Sequence, residues 1–116
     1  MPPLNEMSRQ LKKGILEILL LQLLQGEAAY GYELMQRLSG RSDGYFTMKE
    51  GTLYPILYRL EDSGYIQSVW EETRDRRGAQ RKYYSMTERG RDYLGRARDE
   101  LKQLIAATKK IMGGEM

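Results

Sequence analysis

The stretch KEGTLYPILYRLEDSGYI, residues Lys49–Ile66, decides how this chain is interpreted. Its apolar residues recur at helical spacing and form one stripe that we predict to be buried: Leu53, Ile56, Leu57 and Leu60. Thr47 and Glu50 match a capping box that would start the helix, and Gly64 matches a left-handed residue that would end it. The stretch therefore predicts an amphipathic helix whose other face is free for a partner.

The free face carries residue types that contact nucleic acid. Lys49 and Thr52 fall near the start of the helix, where backbone amides and the helix dipole favour phosphate. A tyrosine hydroxyl can donate to a phosphate while its ring packs on a sugar. The predicted DNA contacts on this helix are Lys49, Thr52, Tyr54, Tyr58 and Arg59. For each tyrosine, packing at the edge of the core is the alternative.

Two helices are predicted before this stretch. The first spans Ser8–Gln25, with Ser8 as its cap and Gly26 as its stop. It is apolar on nearly every side, although a 116-residue chain has few elements that could cover it. We therefore expect a second subunit to bury part of it. The second predicted helix spans Tyr30–Ser39.

A basic hairpin is predicted after the stretch. Two strand-like runs, Tyr65–Glu72 and Arg81–Met86, flank a polar segment that is typical of a hairpin tip. Five cations at or beside this tip are predicted to contact DNA phosphates or a minor groove: Arg74, Arg76, Arg77, Arg81 and Lys82. A solvated charged loop is the alternative meaning of such a run.

Three residues of the hairpin have a more ordinary interpretation. Arg81 and Lys82 have an alternative role, which is pairing with Glu71 and Glu72 across the hairpin. Trp70 is predicted to belong to the hydrophobic core or its edge.

The last predicted helix begins at Thr87 and extends to about Met112. Its apolar residues repeat at alternating steps of three and four, the spacing of a short coiled-coil seam. Together with the first helix, this seam predicts a homodimer. The predicted dimer contacts are Ile15, Leu16, Leu19, Leu20, Leu94, Ala97, Leu101, Leu104 and Ile111.

Composition narrows the function further. The formal net charge of +3 and a pI of about 9.2 are compatible with nucleic-acid binding. Without cysteine or histidine the chain lacks disulfides, thiolate chemistry and the commonest general base, so we expect no enzyme, metal site or cofactor. The apolar run Ile15–Leu24 is shorter than a membrane span, and no signal-peptide cleavage site follows it. We expect a soluble, cytoplasmic protein.

The element order predicts the architecture. The order of three helices, a hairpin and a long helix is typical of a winged helix-turn-helix. In that architecture the third helix enters the major groove of DNA, and the hairpin, or wing, lies on the neighbouring DNA backbone. The predicted fold class is mainly α with a small β-hairpin. Residues 1–86 would form the winged helix-turn-helix domain, and residues 87–116 the C-terminal dimerisation helix and a short tail.

Three segments together resemble a known family. GTLYPILYRLEDSGYI followed by a tryptophan, then RKYYSMTERG, with YGYELMQRL upstream, is similar to the PadR family of bacterial transcriptional regulators over about Ile15 to Leu94. The resemblance implies a dimeric winged-helix repressor of the short subfamily, with Gly51, Thr52, Leu53, Tyr54 and Pro55 as the signature of its recognition helix. Gly51 thereby joins the predicted DNA contacts, and Gly78 looks like the wing turn. Some short members carry a pore-lining tryptophan in the last helix, where this chain has Leu101.

The sequence thus predicts a homodimeric repressor that binds an inverted-repeat operator in double-stranded DNA. Release by a small-molecule effector of unknown identity is an open addition to this prediction. Two alternatives are a winged-helix dimer that serves protein–protein interaction and a small-molecule-binding protein. The basic hairpin tip favours DNA over the first alternative, whereas the second alternative requires a cavity at the dimer interface.

Overall fold

The computed structural model of the chain describes residues 4–71 and 81–114. The predicted contacts Arg74, Arg76 and Arg77, the alternative partner Glu72 and the turn at Gly78 lie outside these residues. The described residues form five helices and three short strands: α1 Leu4–Lys13, α2 Leu16–Leu23, β1 Ala29–Tyr30, α3 Gly31–Arg41, α4 Glu50–Asp62, β2 Ile66–Trp70, β3 Lys82–Met86 and α5 Glu88–Ile111. The predicted order of helices and hairpin is confirmed.

The first predicted helix is wrong in one respect, because the chain forms two helices there. Ser8 lies inside α1 and does not cap it, and the helix ends at Lys13. A turn follows, in which the Ile15 amide donates to the Lys12 carbonyl at 3.1 Å. Gly14 is the residue that favours this break, since glycine loses more backbone freedom in a helix than other residues do. The predicted stop is confirmed, with Gly26 at a φ of 80° beyond the end of α2.

The hairpin is part of a three-stranded antiparallel sheet in the order β1–β3–β2. Ile66 on β2 lies opposite Met86 on β3, and Trp70 lies opposite Lys82. The two-residue strand β1 adds Ala29 opposite Tyr84. No sequence pattern predicts β1, because two residues are too few to show an alternation.

The start of α4 differs from its prediction and its end does not. Lys49 is the N-cap, and Glu50 is therefore the first helical residue and cannot complete a capping box with Thr47. At the other end Gly64 has a φ of 80°, its amide donates to the Glu61 carbonyl, and the Tyr65 amide donates to the Leu60 carbonyl. These two bonds form the predicted left-handed helix end.

A compact junction joins the end of α4 to the start of α5. Thr87 caps α5 by accepting a hydrogen bond from the Gly90 amide at 3.0 Å, and its hydroxyl donates to the Gly64 carbonyl at 2.6 Å. The Thr87 amide donates to the Tyr65 carbonyl at 3.1 Å. A Cβ on Gly90 would collide with that same carbonyl, so only glycine lets the helix approach so closely.

The hydrophobic core is formed by α2, α3, α4, the sheet and the first turns of α5. Its members are Leu20, Leu21, Leu23, Leu24, Ala29, Leu34, Leu38, Leu53, Ile56, Leu57, Leu60, Ile66, Tyr84, Met86 and Leu94. Leu20 and Leu94, both predicted as dimer contacts, are thus buried in the core of their own chain. They are 0% and 2% exposed, so a second subunit cannot reach them without unfolding.

Candidate nucleic-acid interface

Helix α4 presents four distinct faces. The predicted stripe of Leu53, Ile56, Leu57 and Leu60 is buried, as expected. Directly opposite lies an exposed ridge: Gly51, Pro55, Tyr58 and Asp62. These ridge positions are three or four residues apart, so they align along one side of the helix. The two remaining flanks of α4 face the sheet and the helix pair α1–α2.

The structure separates the two tyrosines of α4. Tyr58 belongs to the ridge and is 52% exposed. Tyr54 is half-buried on the flank facing the sheet, and it packs against the core. The ring centroids of the two residues are 6.1 Å apart. Tyr58 is therefore well placed to contact a partner, whereas Tyr54 lies at the edge of the core.

The Tyr54 hydroxyl is harder to ionise than that of a solvent-exposed tyrosine. Burial raises the pKa of Tyr54 above its ordinary value, and the nearby Glu50 and Tyr58 raise it further. A protonated hydroxyl can donate a hydrogen bond, and Tyr54 keeps that ability throughout the neutral pH range.

Gly51 has no structural requirement for glycine within the described residues. A Cβ placed at Gly51 would have no heavy atom within 4 Å. At Gly31, by contrast, an added Cβ would lie 2.9 Å from Cζ of Tyr54. Packing among residues 4–71 and 81–114 therefore explains Gly31 but not Gly51.

Arg59, another predicted contact, is bound to a neighbouring helix. Its guanidinium donates to Oε1 of Glu17 on α2, from Nη2 at 2.6 Å and from Nε at 3.0 Å. This ion pair joins α4 to α2 on the flank away from the sheet. The other predicted contacts on this flank, Lys49 and Thr52, are exposed.

The cations of the hairpin also have acidic neighbours. Nε of Arg81 lies 4.0 Å from Oε2 of Glu71, which agrees with the alternative interpretation of Arg81. Nζ of Lys82 lies 3.8 Å from Oε1 of Glu61 on α4. Both cations remain partly exposed beside the flank of α4 that faces the sheet and carries Tyr54, which we call the tyrosine flank.

The prediction for Trp70 is wrong. Its side chain is 60% exposed rather than buried, and Nζ of Lys82 lies 5.6 Å from its ring. Trp70 follows Ile66 by four residues and so points to the same face of the sheet. It stands at the far end of β2, however, where it lines an open groove with Tyr54 and Tyr58.

The predicted dimer surface is only partly free. Ile15, Leu16, Leu19, Ala97 and Leu101 are half-buried, while Leu104 and Ile111 are 58% and 85% exposed. A groove of about 600 Å³ runs between the α1–α2 pair and α5. Its apolar lining is Leu11, Ile15, Ile18, Ala97, Leu101 and Leu104. A large apolar surface is thus uncovered in the single chain.

Two other kinds of site are absent from residues 4–71 and 81–114. These residues contain no group of three or more acidic side chains placed to hold a metal ion. None of the helices in this part of the chain combines the length and apolarity that crossing a membrane requires.

Comparison with known proteins supplies the family. Residues 20–96 match the family model described as "Transcriptional regulator PadR-like family". Uncharacterized protein X of Lysinibacillus sphaericus is 36% identical over 100 residues, which cover 86% of each chain. Transcriptional regulator YqjI of Escherichia coli is 26% identical over 91 residues, covering 78% of this chain but only 41% of the longer regulator.

A solved structure agrees in fold. The crystal structure of a PadR family transcriptional regulator from Eggerthella lenta matches with a TM-score of 0.82 and 30% identity, covering 93% of this chain and 90% of that one. The winged-helix fold and the non-enzymatic function class predicted from the sequence are confirmed. The chain belongs to the PadR-like family of transcriptional regulators.

Proposed function

We propose that this protein is a repressor that binds an inverted-repeat operator in double-stranded DNA as a homodimer. Helix α4 would act as the recognition helix. The observation that carries the proposal is the exposed ridge of α4, where an added Cβ at Gly51 would meet no other atom of the described part of the chain.

The shape of this ridge supports docking into a major groove. The groove of B-DNA is about 12 Å wide and admits one helix. Gly51 has no side chain and the Pro55 ring is short, so the first two turns of α4 can approach base edges and backbone closely. Tyr58 follows one turn later and offers a hydroxyl donor.

The hairpin supports a second set of contacts. Arg81 and Lys82 lie at the start of β3, next to the tyrosine flank of α4. Phosphates of the adjoining backbone would compete with Glu71 and Glu61 for these two cations. Such contacts position a protein on DNA without selecting a base sequence.

The apolar groove and the exposed end of α5 support the dimer. Monomeric proteins rarely leave large contiguous apolar patches open to water. A second copy seated along α5 would cover Leu104 and Ile111. Two recognition helices related by a two-fold axis would then read two half-sites about one helical turn apart or a multiple of it.

The same groove supports release by an effector. Its volume of about 600 Å³ lies in the range of small-molecule sites, about 300–1,000 Å³. A ligand bound there would contact both α2 and α5, and α2 is joined to α4 by the pair of Glu17 and Arg59. A cytoplasmic location is part of the proposal, since the operator lies there.

Footprinting on the DNA upstream of the protein's own gene tests the proposal. We expect protection of an inverted repeat with two equivalent half-sites. A protein that binds this DNA no better than a random duplex of equal length would contradict sequence-specific recognition. Sedimentation of the free protein tests the dimer separately.

A further inference from the structure

A second groove borders the recognition helix on the flank away from the sheet. Its volume is about 630 Å³, and it lies between α1 and the first turn of α4. The polar side chains that line it are Asn5, Ser8, Arg9 and Lys12 from α1 and Thr47, Lys49 and Thr52 from the other side. No carboxylate appears among the described residues that line it. The lining therefore carries three cations and several hydrogen-bond donors beside the apolar side chains of Leu16 and Met48.

The cations of this groove differ from those elsewhere on the same side of the molecule. Arg59, Arg81 and Lys82 each have a carboxylate neighbour within 4.0 Å. Arg9 and Lys49 have none within residues 4–71 and 81–114. An unpaired cation binds an anion at a lower cost in free energy, because it has no existing ion pair to break.

Lys12 fixes α1 beside the segment that leads into α4. Its ammonium donates to the Tyr45 carbonyl at 2.9 Å and lies 4.1 Å from the centroid of the Tyr45 ring. Arg9 precedes Lys12 by three residues and lies on the same side of α1. The anchor at Lys12 therefore holds Arg9 at the edge of the groove, across from Lys49.

We infer that α1 is part of the DNA interface and that this groove binds the phosphodiester backbone beside the major groove occupied by α4. Arg9 and Lys49 provide the charged contacts, and the hydroxyls of Ser8 and Thr52 provide neutral donors. Arginine, lysine, serine and threonine are the residue types that make most phosphate contacts in protein–DNA complexes. The inference rests on the proposed function, and it assigns to α1 a role in binding DNA beyond forming the dimer.

The position of the groove favours DNA over an acidic protein as its occupant. Thr52 lies one residue after Gly51, so the groove adjoins the ridge that docks into DNA. A DNA strand that runs alongside the ridge would pass over the groove without any conformational change in the protein. The proposed docking of α4 brings DNA to this place, but it brings no acidic peptide there.

The test measures the affinity of the full-length protein for the DNA upstream of its gene and for a random duplex, over a series of salt concentrations. Arg9→Ala should lower affinity for both duplexes about tenfold, and the log–log salt slope should become shallower by about 1. Lys13→Ala is the matched control, because Lys13 has the same charge and lies on α1 but does not line the groove. It should leave affinity and slope close to those of the unmodified protein.

Three outcomes would overturn the inference. One is an unchanged salt slope for Arg9→Ala with unchanged affinity. Another is an equal loss for Arg9→Ala and Lys13→Ala, which would indicate a general charge effect rather than a contact. The third is normal DNA binding by Arg9→Ala together with lost binding of an acidic polyglutamate peptide, which would identify a protein partner instead. An unmodified protein that binds neither duplex would refute the proposed function itself.

Discussion

The ring of Tyr54 occupies the space that any side chain at Gly31 would need. A Cβ on Gly31 would collide with the Tyr54 hydroxyl and lie 2.9 Å from its Cζ atom. The first residue of α3 and the middle of α4 are therefore in direct contact, and this contact sets how closely the two helices pack. Gly31→Ala should force Tyr54 out of its position and lower the free energy of unfolding by about 1–3 kcal/mol.

Thermal or urea denaturation measures this effect. Gly31→Ala combined with Tyr54→Ala is the control, since removing the ring removes the collision. Recovery of part of the lost stability in the double variant, relative to Tyr54→Ala alone, is the expected result. Equal stability of Gly31→Ala and the unmodified protein would show that the Tyr54 ring moves aside freely.

Gly51→Ala should have the opposite effect on stability. An alanine there would touch nothing within the described residues and would improve helix propensity, so the free energy of unfolding should rise by up to about 1 kcal/mol. Affinity for the operator should fall, because a methyl group would stand where the helix approaches DNA. Melting curves and operator titrations of the same preparation measure both quantities. Unchanged affinity would remove the main support for α4 as the recognition helix.

Tyr58→Phe tests the exposed hydroxyl of the ridge. The change keeps the ring, and the side chain is largely in solvent, so stability should hardly move. Losing one hydrogen bond to DNA should weaken operator binding by about 1 kcal/mol, or more if the acceptor is a phosphate. Tyr54→Phe on the buried flank is the comparison. A larger loss for Tyr54→Phe than for Tyr58→Phe would mean that the tyrosine flank, not the ridge, faces DNA.

Leu104→Glu should dissociate the proposed dimer without unfolding the chain. Leu104 is largely exposed in the single chain, so a carboxylate there stays in contact with water. The charge costs free energy only where a second subunit covers it and removes that water. Leu20→Glu, in contrast, would place a charge in the core and unfold the protein. Sedimentation and circular dichroism distinguish the two results. A folded, dimeric Leu104→Glu variant would exclude this part of α5 from the interface.

Stability should fall at alkaline pH. Burial raises the pKa of Tyr84 to about 12, and Tyr58, Glu61 and Tyr54 add to the shift. An unfolded tyrosine titrates near pH 10, so between about pH 10 and 12 the unfolded state loses its proton first. The contribution of Tyr84 is complete below this window and is lost as pH rises through it. Tyr84→Phe should show a smaller decline in a pH series of urea denaturations, and parallel curves would contradict the assignment.

The long periodic segments were predictable from the sequence. Local patterns and turn chemistry, which a sequence displays directly, determine the buried stripe of α4, its end at Gly64, the start of α5 at Thr87 and the two five-residue strands. The family also follows from such local signatures.

Other features depend on packing between distant residues. The break after Lys13 divides the segment Ser8–Gln25, which reads as one helix. Strand β1 exists only because β3 lies beside it. Trp70 is exposed because the core ends before the strand does. Leu94 fits a dimer seam by spacing, and Leu20 lies in a helix that is apolar on nearly every side. The chain's own core buries both residues. The groove that α1 forms with Lys49 joins residues about forty positions apart, so no local pattern indicates it.

The junction at Thr87 has a consequence for how such a regulator can change its target. One hydroxyl caps α5 and also holds the carbonyl of Gly64 at the end of α4. In the proposed dimer this junction fixes the angle between the recognition helix α4 and helix α5, along which the two subunits pack. That angle sets the distance between the two recognition helices and hence the spacing between half-sites. The ridge of α4 takes no part in the junction. New base preferences can therefore arise by substitution along the ridge while the spacing of the operator stays the same.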